Sequence, residues 1–424
     1  MSETVVIGDA TLYLGDCREV LAGLAADSVH AVVADPPYDL LQGSRRGSRR
    51  TNDPAKPHGR HDCRGGGFMG LDWDATGVAF RPETWAEALR VARPGAPLLA
   101  FGGTRSWHRL VCALEDAGWQ IRDCLCWLYG QGFPKSRNFG KDLEDGWAGY
   151  GTALKPAWEP IVLAMKPLDG TFAENAQKWG VAGLNIDGCR LAIADNDDVY
   201  AKNPHTQGTI GANGIYGEGK KTLYAVPSGR WPANVALDAQ AAAMLDEQSG
   251  TSVSRGGQAG LGAFGTGEIY GKGRIEIEKR DPGFGDSGGA SRFFYCAKAA
   301  RQERNAGIEW TQEGWPRDLL GGLGRPRSRL KDRRVEADNW HPTVKPLDLM
   351  RWLCRLVRPP AGGVVLDPFL GSGTTLCAAA LEGMGGIGIE QDAQYLELAR
   401  PRITHWQAVA AEEAGLFRTD AEER

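Results

Sequence analysis

The sequence predicts an α/β fold, a parallel sheet laid down by two separate stretches of chain with a long irregular segment between them. Three observations lead there. Strand-like and helix-like segments alternate through the first third. After about Lys166, clusters of Asn, Gly, Asp and Ser take over (208–220, 249–273, 283–291) and helical periodicity largely disappears. Alternation then returns from Leu347 onward. Alternating units of this size imply parallel strands joined by crossover helices.

The elements follow in order. Cys17 to Ala25 sets Val20, Leu21 and Leu24 on one helical face, and Ser28 to Ala34 is a short β-branched run suited to a buried parallel strand. Pro82 to Ala92 reads as a helix stopped by Pro94-Gly95, and Pro97 to Phe101 as the next buried strand. Thr104 to Ala117 carries Trp107, Leu110, Val111 and Leu114 at helical spacing, with Gly118 placed as a C-terminal cap. Trp107, like Trp73, reads as a core aromatic. Late in the chain, Leu347 to Val357 is amphipathic and is broken by Pro359-Pro360. Val364 to Leu366 is a strand, Thr374 to Glu382 a helix, and Gly386 to Glu390 a further strand.

Composition narrows the class. A chain of 424 residues can bury a full α/β core and carry a second, smaller unit, and 42% hydrophobic with 24% charged residues is ordinary for a globular protein. No apolar run approaches the roughly 18 residues of a membrane span, and the first residues lack a basic-then-apolar leader, so the expected location is cytoplasmic. Nine cysteines show no C-x-x-C pair, which fits reduced thiols. The nearest approach to a metal cluster is His58, His61 and Cys63 in a polar stretch, and we expect no metal there.

The net charge of −4 conceals local segregation. Arg45, Arg46, Arg49, Arg50, Lys56, Arg60 and Arg64 stand against Asp53 and Asp62, and a second stretch from Arg317 to Arg334 repeats that balance, while the tail after Val409 is acidic. Segregated basic stretches in a mildly acidic chain fit an electrostatic footprint for phosphate; solvated basic loops are the plainer alternative.

Two motifs carry chemistry. Asp35-Pro36-Pro37-Tyr38 directly follows the first buried strand, where ligands bind in sheets of this kind. The prolines stiffen the turn and leave the Pro36 carbonyl beside the Asp35 carboxylate. Two rigid acceptors suit a planar NH2 group, and holding both its hydrogens turns the nitrogen lone pair into a nucleophile. Tyr38 offers a face for stacking. Read alone, the tetrapeptide is also a strand-ending turn. The second motif is Val364 to Thr375, a strand running into Gly371-Ser-Gly373 and then a helix. Glu390 ends the next strand 23 residues after Asp367. This is the layout of an adenosine site, in which an acid about 20 residues on holds ribose hydroxyls. It lacks the third glycine of the dinucleotide pattern and the lysine of a phosphate loop. Asp367 would repel a pyrophosphate but welcome a sulfonium or amino group.

Together, with the tetrapeptide first, these motifs resemble the N6-adenine/N4-cytosine DNA methyltransferase family in its permuted, beta-type arrangement. Gly15-Asp16 and His341 to Pro346 also match. Gly70 to Asp74, Phe101 to Gly103, Lys155 to Pro160 and Phe294 to Lys298 resemble its phage and prophage members. The resemblance implies a permuted Rossmann-like S-adenosylmethionine-dependent methyltransferase fold with an inserted, irregular target-recognition region. Residues 1–170 would form a catalytic part, 171–335 the recognition insertion, 336–410 a cofactor part and 411–424 an acidic tail.

By that resemblance, Asp35 and the Pro36 carbonyl, held by Pro37, bind the target amino group, and Tyr38 stacks on an extruded base. Asp367, Pro368, Phe369, Gly371, Gly373 and Thr374 shape the S-adenosylmethionine pocket. Glu390 lies on the ribose, Asp16 near the adenine, and Lys345-Pro346 at the methionine end. His341 is expected to cap the following helix. The basic segment from Arg45 to Arg64 is expected on DNA phosphates. The implied partner is double-stranded DNA, with the base flipped out at a cost of about a few kcal/mol. Aspartate at the head of the tetrapeptide favours adenine N6, with cytosine N4 as the alternative. A methyltransferase for RNA or protein amides, and a catalytically silent DNA-binding protein, are the more distant readings. Whether the chain forms a homodimer, or works beside a cognate restriction nuclease, is left open by the sequence.

Overall fold

The computed structural model describes residues 3–39, 76–132, 134, 136–141, 143, 146–193, 208–209, 223–224, 229–253, 286–297, 301–308, 339, 341 and 343–422. Both basic stretches, the His58/His61/Cys63 group and Gly70 to Asp74 lie outside the described residues. The chain divides into two units. The first comprises 1–128, 132–185 and 297–424, and the second 129–131 and 186–296.

The first unit is an open sheet. Its strands are β1 (Thr4–Ile7), β2 (Ala10–Leu14), β3 (Ala31–Ala34), β4 (Pro97–Phe101), β5 (Gln120–Leu128), β6 (Trp158–Met165), β7 (Val364–Asp367) and β8 (Gly385–Glu390). They run in the order β1-β2-β8-β7-β3-β4-β6-β5. Strands β2, β8, β7, β3 and β4 are mutually parallel; β1 and β6 run antiparallel to their neighbours. The helices are α1 (Cys17–Gly23), α2 (Pro82–Val91), α3 (Trp107–Asp116), α4 (Phe172–Trp179), α5 (Arg301–Asn305), α6 (Leu347–Val357), α7 (Thr374–Leu381) and α8 (Ala393–Glu422).

Each element answers to its sequence. The Ala-Val-Val-Ala of β3 is buried throughout because strands flank it on both sides. Helix α7 is apolar all round and almost wholly buried, packed on α6, α8 and β8. Helix α6 buries Leu349, Trp352, Leu353, Leu356 and Val357, a stripe at helical spacing. Trp107 packs on the core cluster as expected of a core aromatic.

The connections set the site. From β7 the chain passes through α7 to β8 on one side, and from β3 through α2 to β4 on the other. Between them, β7 and β3 pair in parallel with Val365 opposite Ala31 and Leu366 opposite Val32. A crevice opens beyond the carboxyl ends of two such diverging strands.

The structure moves several boundaries. The β1–β2 hairpin and the β5–β6 pair were not read from the sequence. Helix α4 belongs to the first unit, so the interruption begins at Ile186 rather than at 171, and residues 297–308 rejoin the first unit. The acidic stretch 411–424 is no separate tail, since α8 continues to Glu422.

Within the second unit, the strand Val235–Asp238 leads into the helix Ala239–Ser249, whose N-terminus Asp238 caps by accepting from the Ala241 amide at 2.6 Å. Asp286 is buried between the guanidinium groups of Arg230 and Arg292, which lie 4.9 and 4.3 Å from the ring of Phe293.

Candidate active site

Residues of the first unit enclose a cavity of about 340 Å³ at the crevice between β3 and β7, towards the small end of the roughly 300–1,000 Å³ typical of ligand pockets. Eleven of the residues given a role in the sequence line it: Asp16, Asp35, Pro37, His341, Lys345, Asp367, Pro368, Phe369, Gly371, Thr374 and Glu390. Pro36, Tyr38, Pro346 and Gly373 adjoin lining residues in sequence without lining the cavity themselves. Arg18, Arg81 and Tyr395 also line it, and no pattern in the sequence marked them.

Strands β7 and β8 supply two of the acids. Asp367 ends β7, is 2% exposed and accepts the Phe369 amide at 3.0 Å. Burial pushes its pKa up to about 7, and the negative Asp35 and Glu390 add to the rise, partly offset by hydrogen bonds from Thr375 and Phe369. Glu390 ends β8, accepting the Gly371 amide through Oε2 at 2.7 Å and the Asp392 amide through Oε1 at 2.9 Å. Burial likewise lifts it to about 7. The acid thus fastens the glycine turn to the sheet, and its carboxylate keeps lone pairs for further donors.

The turn is held from behind. Gly373 has φ +78°, and a Cβ there would lie 2.9 Å from Ile403 Cδ1 and 3.1 Å from Ala399 Cβ. Its glycine is therefore required by a left-handed backbone and by packing against α8. Buried Arg402 of α8 donates to the Ser372 carbonyl, to Ser372 Oγ at 2.9 Å and to Thr374 Oγ1 at 3.1 Å.

Asp16, expected beside an adenine, lines the cavity and is held by its neighbours. It caps α1, accepting from the Arg18 amide at 2.9 Å, and pairs with the Arg18 guanidinium at 2.8 Å. Arg18 holds its carboxyl below the usual range. His341 does not cap α6, whose cap position is Pro346; its ring stacks edge-on against Tyr395 at 4.5 Å. Burial depresses its pKa to about 3, leaving the imidazole neutral.

The Asp35–Tyr38 turn lines the same cavity as these acids. Asp35 presents Oδ2 to Lys345 Nζ at 2.8 Å, while its Oδ1 is buried with no hydrogen-bond partner among the described residues. Tyr38, expected to offer a ring to a base, has its hydroxyl hydrogen-bonded on both sides. It donates to Glu159 Oε2 at 3.1 Å and accepts from Lys345 at 3.1 Å. A Cβ at Gly103 would stand 3.1 Å from Tyr38 Cδ2, so the glycine lets the ring pack closely. Ser106 Oγ fastens the Tyr38 carbonyl at 2.9 Å. Glu159 was quoted only within a matching stretch; a role for it depended on β6, which the sequence did not reveal. Lys345, expected at a cofactor's methionine end, lines the cavity and makes its polar contacts with Asp35, Tyr38 and Glu159. Among the described residues no cluster of three or more metal-ligating side chains occurs, and no helix is long and apolar enough to cross a membrane.

The sheet and its cavity define a doubly wound, Rossmann-like α/β protein whose glycine-turn strand follows its Asp-Pro-Pro-Tyr strand in sequence. Residues 266–401 match the model of the N6/N4 methyltransferase family, described as DNA methylase. Type II methyltransferase M.HindIII of Haemophilus influenzae is 26% identical over 200 residues, 41% of this chain and 64% of that protein. Type II methyltransferase M2.MboI of Moraxella bovis is 45% identical over 62 residues, 15% of this chain and 22% of that protein. The chain thus spans less than two thirds of the length of either relative. A DNA modification methylase of Thermus thermophilus, solved with S-adenosyl-L-methionine, is 17% identical over 93% of this chain and 95% of its own, with a TM-score of 0.37.

Proposed function

We propose that the chain transfers a methyl group from S-adenosylmethionine to the exocyclic N6 of an adenine flipped out of duplex DNA. The observation that carries the reading is Oδ1 of Asp35, a buried acceptor at the edge of the cavity without a donor among the described residues. Leaving such an atom unpaired costs about 1–3 kcal/mol, which a substrate N–H recovers. Together with the Pro36 carbonyl it grips both hydrogens of an amino group and frees the nitrogen lone pair for in-line attack.

The residues present suit the cofactor. Asp367 is buried, pairs with no cation among the described residues and has two like charges near it, an environment that favours a positively charged ligand. Glu390 suits vicinal hydroxyls. When bound, S-adenosylmethionine supplies an electrophilic methyl group. The chain's contribution is alignment, which accounts for most of the rate in transfers between two held reactants.

Duplex DNA as substrate is supported by the family match and by the two basic stretches. Adenine is favoured over cytosine N4 because the stronger acceptor, aspartate, heads the turn. The second unit takes the recognition role; its exposed Trp231, with Arg190 5.2 Å from the ring, is the kind of surface that meets nucleic acid. A filter assay with tritiated S-adenosylmethionine on duplex DNA, RNA and protein tests the reading. Label must enter DNA with the wild type and vanish with Asp35→Ala. Label in RNA or protein alone would overturn it.

A further inference from the structure

The ammonium group of Lys345 is saturated. It has three N–H donors and three acceptors: Asp35 Oδ2 at 2.8 Å, the Tyr38 hydroxyl at 3.1 Å and Glu159 Oε2 at 3.3 Å. The side chain is 9% exposed, and Nζ stands 4.7 Å from the centre of the Phe101 ring. A ligand carboxylate could reach this cation only by displacing one of its partners. The contacts join three segments, the turn after β3, the start of β6 and the segment before α6.

We propose that Lys345 and Glu159 are positioning residues for methyl transfer, locking Asp35 so that Oδ1 alone is offered to the target amino group. The inference rests on the methyl-transfer reading above. Lys345 occupies one carboxylate oxygen and thereby fixes the plane of the other. Glu159 anchors Lys345 directly and through the Tyr38 hydroxyl, which accepts from Lys345 and donates a hydrogen bond to Glu159. Two carboxylates on one ammonium leave the cluster net negative. That charge suits an amino nitrogen that gains positive charge as the methyl arrives.

The groups around Asp35 make the proposal measurable. Burial raises its pKa, Lys345 lowers it, Glu159 raises it, and the Tyr38 hydroxyl lowers it by hydrogen bonding. Asp367, across the cavity, is a further like charge. Removing the cation and removing the second anion must therefore move the Asp35 titration in opposite directions.

The experiment compares wild type, Lys345→Met and Glu159→Gln. kcat is measured against pH with tritiated S-adenosylmethionine at saturation on amplified, unmethylated duplex DNA of several kilobases. The dissociation constant for S-adenosylmethionine is measured separately by calorimetry without DNA. For Lys345→Met we expect kcat to fall about 10²-fold or more, an acid limb at higher pH, and a cofactor dissociation constant within about threefold of wild type. For Glu159→Gln, an isosteric change that preserves folding, the acid limb should move to lower pH with a smaller loss of rate. A cofactor affinity that weakens in step with the rate of Lys345→Met would return Lys345 to the methionine end and overturn the inference. So would acid limbs that stay put, or move together, in folded variants. If the wild type labels no DNA, the methyl-transfer reading itself fails; wild-type transfer with unmoved limbs defeats this inference alone.

Discussion

Lowering the pH from 7.5 to 6 should loosen the hold on S-adenosylmethionine through two named acids. Asp367 and Glu390 are each raised to about 7 in the cofactor-free protein, chiefly by burial. A cationic ligand binds beside ionised Asp367, and hydroxyl donors bind best to ionised Glu390, so any proton on them must leave first. With a pKa near 7, the ionised fraction of one acid falls about eightfold between these pH values, and that of two independent acids about seventyfold. The weakening should lie between these bounds. At pH 6, calorimetry in buffers of different ionisation enthalpy should detect roughly one to two protons released per ligand bound. The cofactor-free chain shows the converse. Both acids hold protons more tightly folded than unfolded, so their contribution to its stability is greatest at low pH and is lost as pH rises through about 7. Thermal stabilisation by S-adenosylmethionine should accordingly be larger at pH 7.5 than at pH 6. A dissociation constant unchanged between these pH values, with no buffer-dependent heat, would refute the placement of the ligand against these carboxylates.

Further outcomes follow from single contacts. Asp35→Asn should cut methyl transfer by ~10²–10³ while leaving calorimetric cofactor affinity nearly intact, since one acceptor is weakened and the cavity kept. Arg402→Met should cost about 1–3 kcal/mol in urea denaturation by stranding the Ser372 and Thr374 acceptors it serves. Gly373→Ala should weaken cofactor binding and lower thermal stability, since a left-handed φ costs a side chain about 1–2 kcal/mol before any clash with Ile403. If the arginines between Arg45 and Arg64 meet about four phosphates, neutralising them should flatten the log–log salt slope of DNA binding by roughly three to four. Equal slopes would make that segment ordinary surface.

The legible parts of the chain were those where one local pattern decides. Strand β4 and helix α6 were read at their observed bounds because buried runs and apolar stripes end there in proline or glycine. The pairing of β3 with β7 was legible from the two motif loops, which need neighbouring carboxyl ends to share a ligand. What escaped were features set by tertiary contact. The Tyr38–Glu159–Lys345 bonds join residues 121 and 307 positions apart along the chain, and no spacing announces them. The bonds from the Arg18 amide and guanidinium to Asp16, which fix its carboxylate at the cavity wall, were also missed. The β1–β2 hairpin was passed over because it pairs on the outer side of β8, at the sheet's edge.

The central claim is methyl transfer to a base by the amino-gripping turn at Asp35. Long-read sequencing of DNA from cells expressing the wild type or Asp35→Asn tests it most directly. The account predicts N6-methyladenine at one recurring sequence with the wild type and none with the variant. A methylcytosine signal lost in Asp35→Asn would correct the base and keep the mechanism, whereas DNA unmodified by a well-expressed wild type, or equally modified by both, would contradict the account.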